Sequence, residues 1–168
     1  MDDLVRWLLE GDISVQYLSH KYLLNSDPAI LEQLQNRIET EGYGAEYLFH
    51  QNPNGHWGIH YYQKKWTCTH YTLLDLKNLG ISPTLKPARE MVQRMFDECM
   101  LPDGGVDLSK SELPCDICIN GMVLNYASYF CAEDPRLYKL AKFLLSVQKQ
   151  DGGFSWDTQS EKGDPHTT

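Results

Sequence analysis

The chain has 168 residues, 42% hydrophobic and 23% charged, an ordinary globular composition with enough length for one core and an appended subdomain. Fifteen Lys and Arg against 23 Asp and Glu give a net charge of -8, which opposes any general affinity for phosphate backbones, so no nucleic-acid partner is expected. The opening "MDDLVRWLLEGD" offers only a short apolar run broken by Arg6 and Glu10, so neither a secretion signal nor a membrane span is expected there, and a cytoplasmic location is. Five cysteines (Cys68, Cys99, Cys115, Cys118 and Cys131) are an odd number, which favours free thiols or metal ligands over a disulfide framework.

Along the chain, apolar residues recur at three-and-four spacing and no stretch alternates convincingly, so the expected class is all-α. Leu4, Val5, Leu8 and Leu9 form a first short helix stopped by Gly11. Asp12 suits the N-cap of a second helix carrying Ile13, Tyr17, Leu18 and Leu24. Asp27-Pro28 repeats the device, since Pro at the first helical position needs no donor, and Ile30, Leu31, Leu34 and Ile38 supply a buried stripe. Further helices are expected over 67–79, ended by Gly80, over 84–100, over 117–131, and from Asp134-Pro135 to near Gln148.

Three stretches repeat: "QNPNGHWG" at 51–58, "MLPDGGVD" at 100–107 and "QKQDGGFSW" at 148–156. Asn54 to Asp103 is 49 positions and Asp103 to Asp151 is 48, a period that suggests stacked helical hairpins. Each unit reads as a helix, a Gly turn, a polar loop and a second helix, with Trp57 or Phe154 placed to pack between adjacent units. Residues 1–41 lie outside this period and read as a small preceding helical subdomain.

Gln51-x-x-x-Gly55-x-Trp57 and Gln148-x-x-x-Gly152-x-Phe154 resemble the QW repeats of squalene–hopene cyclases and the related repeats of protein prenyltransferases. The middle unit is degenerate, with Met100 and Val106 at the Gln and Trp positions, and Phe154 lacks the indole. The stretch "GHWGIHYYQKKWTCTHYTLLDLKNLG" resembles bacterial prenyltransferase-like and terpenoid-cyclase-like proteins. The resemblance covers residues 42–168 and implies an α/α toroid, with inner helices around a cavity and outer helices surrounding them. On this pattern "PHTT" opens the inner helix of a third unit, so an incomplete ring is expected, with an apolar face uncovered near the C-terminal end and self-association through it.

The Asp-x-Asp-Asp acid motif of squalene-type cyclases does not occur. Protein prenyltransferases hold zinc with an Asp-x-Cys pair and a later His, and the resemblance therefore implies Asp116, Cys118 and His166 as metal ligands. Asp103 to Cys118 and Asp151 to His166 are both 15 positions, which puts Cys118 and His166 at equivalent places, with His70 the counterpart in the first unit. Equally, Asp116 can simply cap its helix, Cys118 can be a small buried residue, and His70 and His166 can be polar cap residues. Cys115-x-x-Cys118 lacks the βα setting of a redox motif. Tyr71 and Tyr126, with Tyr129 and Phe130, could line a cavity beside His70 or serve as core; Lys64 and Lys65 could meet a diphosphate or solvent. Two functions follow: a prenyltransferase- or terpenoid-cyclase-like protein acting on an isoprenoid or other apolar molecule, with zinc as the candidate cofactor, or a non-catalytic helical-repeat binding module.

Overall fold

A computed structural model describes residues 2–109 and 116–155. Among the described residues the regular elements are α-helices: α1 (Asp3–Leu9), α2 (Ile13–Tyr22), α3 (Pro28–Arg37), α4 (Gly42–Phe49), α5 (Thr69–Leu79), α6 (Lys86–Cys99), α7 (Ile117–Phe130) and α8 (Arg136–Ser146). Among the described residues the all-α expectation is met, their one extended pairing being an isolated antiparallel bridge between Met100 and Val106. None of the described helices is long and apolar enough to cross a membrane.

The punctuation works largely as the residue types require. Asp12 accepts the Ser14 amide at 2.8 Å and Asp27 accepts that of Ala29 at 2.8 Å, each satisfying a donor that the helix start leaves free. Gly80 closes α5 with φ of 80°. Asp134 accepts the Arg136 amide at 2.9 Å, yet the helix begins after Pro135, with the Arg136 side chain folded back on the same carboxylate. The helix α4 is the one the repeat calls for ahead of the first Gly turn, and it forms although Gly42 and Gly44 are poor helix residues. Gly44 is there because an added Cβ would lie 2.3 Å from the Ile38 carbonyl oxygen, so the α3–α4 corner closes only over a bare backbone.

The stripes are narrower than the periodicity suggests. In α1 no residue is buried, and Leu4 and Trp7 are exposed. Ile30 is exposed too, leaving Leu34 and Ile38 as the part of that stripe that enters the core. α2 packs on α1, α3, α4 and α5; α5 packs on α4 and α7; α7 packs on α6 and α8. Tyr126 meets His70 near the start of α5, while Tyr129 Oη donates to the Ile81 carbonyl past its end at 2.5 Å, so α5 and α7 lie side by side and run the same way. One apolar cluster runs from Ile13, Tyr17, Leu34 and Ile38 through Trp57, Leu73, Met95 and Phe96 to Val123, Phe130 and Leu140. Arg136 ties α8 to α6, pairing with Asp97 as well as Asp134 and lying 5.1 Å from the Phe96 ring.

Candidate functional site

The three Gly turns share one hydrogen-bond pattern. The amides of Asn52, Leu101 and Lys149 donate to the carbonyls of His56, Gly105 and Gly153 at 2.8, 2.8 and 2.9 Å. Those of Gly55, Gly104 and Gly152 return to the carbonyls of Asn52, Leu101 and Lys149 at 2.8, 3.0 and 3.0 Å. Asn54, Asp103 and Asp151 each accept an amide two residues on, and the glycine that follows each of them has φ between 86° and 94°. Gln51 and Gln148 donate to the carbonyls of Gly55 and Gly152 at 2.9 and 2.7 Å, a bond Met100 cannot make. The aromatic position sinks into the core in the first unit, where Trp57 is buried and its Nε1 donates to the Tyr47 carbonyl at 2.6 Å; Val106 is buried in the second and Phe154 half-buried in the third.

A second shared bond fixes how far each following helix protrudes. Thr69 Oγ1 accepts the Trp57 amide at 3.1 Å and donates to the Trp57 carbonyl at 3.3 Å. Asn120 does the same for Val106, accepting its amide at 2.7 Å and donating to its carbonyl at 3.0 Å. Counted from the helix starts, His70 and Cys118 are both second residues, as the spacing predicts. Counted from these anchors, Thr69 matches Asn120, so Cys118 lies three residues, or about 4.5 Å, further out along its helix. That extra turn is why His70 is buried while Cys118 is exposed.

Around His70 the rings of Tyr62, Tyr71 and Tyr126 stand at centroid distances of 5.7, 5.0 and 5.6 Å, all nearly edge-on. His70 Nδ1 lies 3.2 Å from Tyr126 Oη, which donates to Met95 Sδ at 3.1 Å. His70 Nε2 is buried, and among the described residues nothing hydrogen-bonds to it. Burial lowers the His70 pKa to about 4, so the ring is neutral at physiological pH, and burial raises that of Tyr126 well above the ordinary phenol value. Tyr62 and Tyr71 hydroxyls lie 3.4 Å apart, and Trp66 tilts over Tyr71 at 4.8 Å. The Tyr62 phenol is pushed up by burial, by its bond to Tyr71 and, to a lesser degree, by the Asp116 charge. Thus Tyr71 and Tyr126 join His70 in one packed cluster. Sequence reasoning passed over Tyr62 and Met95; the density of rings between His56 and Tyr71 was the available signal for the first.

Asp116 and Cys118 sit two residues apart at the start of α7. Asp116 is the N-cap of α7, accepting the Ile119 amide at 3.2 Å. The Cys118 thiol is pushed up by partial desolvation and then by the Asp116 charge two residues before it, which favours its protonated form. His166 and Cys115 lie outside the described residues. Zinc takes about four ligands, three of them protein groups at an open site; the described residues supply two, and no group of three His, Cys, Asp or Glu that could hold a metal occurs among them. Two open clefts adjoin the cluster: one of about 340 Å³ lined by Ile59, His60, Tyr62, Gln63, Leu108 and Ser109, and one of about 470 Å³ whose walls include Tyr47, Trp57 and Trp66. Lys64 and Lys65 are exposed, Lys65 Nζ lying 5.2 Å from the Trp66 ring centre. No protein-family model matches the chain, and no curated protein matches it.

Proposed function

We propose that the chain is built from hairpin units of an α/α toroid of the prenyltransferase and terpenoid-cyclase kind, and that it binds an isoprenoid-like apolar molecule where α5 and α7 begin. The observation that carries the reading is the repetition of one turn geometry at 55, 104 and 152, with α5 and α7 held side by side behind two of those turns. In this arrangement α5 and α7 are the inner helices and α4, α6 and α8 the outer ones. The tyrosine rings at the inner-helix starts present apolar faces suited to a branched hydrocarbon chain. The test is equilibrium binding of farnesol and farnesyl diphosphate to the whole chain by tryptophan fluorescence. Saturable quenching, lost on shaving the Tyr62 ring with Tyr62→Ala, supports the reading; no saturable response to either probe overturns it.

A zinc-dependent prenyl transfer is the second reading, favoured by the placing of Asp116 at the N-cap and Cys118 at the second position of α7, two ligand types side by side at one helix start. Asp116, Cys118 and His166 would hold the ion, which would supply a Lewis acid able to keep a substrate thiol ionised. Stoichiometric zinc that is lost in both Cys118→Ser and His166→Ala supports it; zinc retained by both variants removes it, and the binding-module reading then stands.

A further inference from the structure

The Tyr126 hydroxyl has one proton and two neighbours. Its oxygen is 3.1 Å from Met95 Sδ, close for the larger sulfur atom, and 3.2 Å from His70 Nδ1, long for an O–H donor but ordinary for an N–H one. The proton therefore lies toward Met95, and the Tyr126 oxygen accepts from Nδ1–H. A neutral imidazole with Nδ1 protonated carries a lone pair on Nε2. The two ring nitrogens diverge, so Nε2 lies on the edge away from Tyr126; the other rings against His70 are those of Tyr62 and Tyr71. Among the described residues nothing donates to that nitrogen, although His70 is only 1% exposed. A buried acceptor left unpaired is costly, and native structures usually give such an atom a partner.

Tyr62 is half-buried, packs edge-on against the His70 ring and lines the cleft of about 340 Å³. Its loop is anchored at Gly58, where φ is 66° and an added Cβ would lie 2.6 Å from the Thr67 carbonyl oxygen. Ile59 and Leu108 give the cleft apolar walls, and Tyr62 is the wall that also stands against the imidazole, the two ring centroids lying 5.7 Å apart.

From the unpaired Nε2, the aromatic rings packed round the imidazole and the cleft on whose wall Tyr62 stands, we propose that His70 is the hydrogen-bond acceptor of a binding site for an apolar molecule ending in a hydroxyl, an isoprenoid alcohol class of ligand, which reaches the imidazole past the Tyr62 ring. The inference rests on the apolar-binding reading above and adds the polar group that the ligand must carry. The alcohol donates to Nε2 while its chain lies along the cleft.

The test compares geraniol with geranyl methyl ether, which keeps the chain and an acceptor oxygen but has no proton to donate. Binding to the whole chain is followed by tryptophan fluorescence, and the His70 Nε2 resonance by ¹⁵N NMR. Geraniol is expected to bind about tenfold more tightly than the ether and to move the Nε2 resonance in the direction of a nitrogen that accepts a hydrogen bond. His70→Phe should abolish that preference; should this variant misfold, the two-ligand comparison on the unaltered chain still decides. Equal binding of alcohol and ether, or an Nε2 resonance that geraniol leaves in place, overturns the inference while the apolar-binding reading stands. Failure of either compound to bind, as when Nε2 is satisfied by a buried water alone, overturns the inference, and failure of farnesol and farnesyl diphosphate as well removes both.

Discussion

His70 makes stability depend on pH in a calculable direction. Its pKa is lowered by burial from the ordinary 6.5 to about 4. Between those values the unfolded chain binds a proton that the folded chain refuses, so the stabilisation is intact above 6.5 and is lost as pH falls toward 4. A shift of this size corresponds to about 2 kcal/mol lost between pH 7.5 and pH 5. Urea unfolding at the two pH values measures it, and His70→Gln should flatten the difference by about that amount; an unchanged difference would show that other groups carry it. At the neighbouring helix start, Asp116 holds the Cys118 thiol protonated after partial burial has already raised it. Asp116→Asn keeps a good N-cap and removes the charge. Cys118 alkylation by iodoacetamide at pH 8 should then quicken by a few-fold, about the effect of losing one nearby like charge. Peptide mass spectrometry gives the rate, and a slower rate in the variant would contradict the assignment of cause.

The turns that join the helices look alike locally but differ in what they press against. Gly104 and Gly152 have φ of 94° and 86°, a region in which a Cβ is strained. An added Cβ at Gly104 would also lie 2.7 Å from the Lys139 carbonyl oxygen on α8, whereas at Gly152 the nearest atom among the described residues is Gln148 Nε2 at 4.0 Å. Gly152→Ala should therefore cost about 1–2 kcal/mol from the backbone alone. Gly104→Ala should cost clearly more, about 3 kcal/mol or above, because α8 must also move. Denaturant titration of both variants checks the order, and equal losses would mean that α8 yields without resistance. The extra turn of α7 beyond its Asn120 anchor is the other element-level result, since it carries Asp116 and Cys118 past the level of His70.

Across the whole molecule the apolar cluster does not pause at residue 42. Ile13, Tyr17, Leu34 and Ile38 are buried in the same cluster as Trp57 and Leu73. Gln35 Nε2 donates to the Gly80 carbonyl at 2.9 Å and to Tyr17 Oη at 3.0 Å, joining α2 and α3 to the end of α5. A chain beginning at Gly42 would leave those faces of α4 and α5 open to water. It should bind a hydrophobic dye strongly and lose cooperative unfolding, as judged by near-UV circular dichroism and thermal melts. A sharp, single melting transition in that shortened chain would show that residues 1–41 are dispensable to the core.

The helices α5, α6 and α7 and the Gly turns were legible in the sequence because their causes are local: apolar spacing, Asp at helix starts, and glycine where φ must be positive. The equal placing of His70 and Cys118 at the second positions of their helices was legible for the same reason, being a matter of counting. The α4 helix was legible only through the repeat, which asks for a helix before each Gly turn; its own residues hide it, because the presence of Gly44 is explained only by its approach to Ile38, a contact between elements. Nor could counting say that His70 is buried and Cys118 exposed. That difference comes from the side chains of Thr69 and Asn120, which grip the preceding loop at different heights and so set each helix at its own depth. Local rules act through a few neighbouring residues and can be read along a chain; depth in the fold depends on long-range bonds that form only when the helices pack.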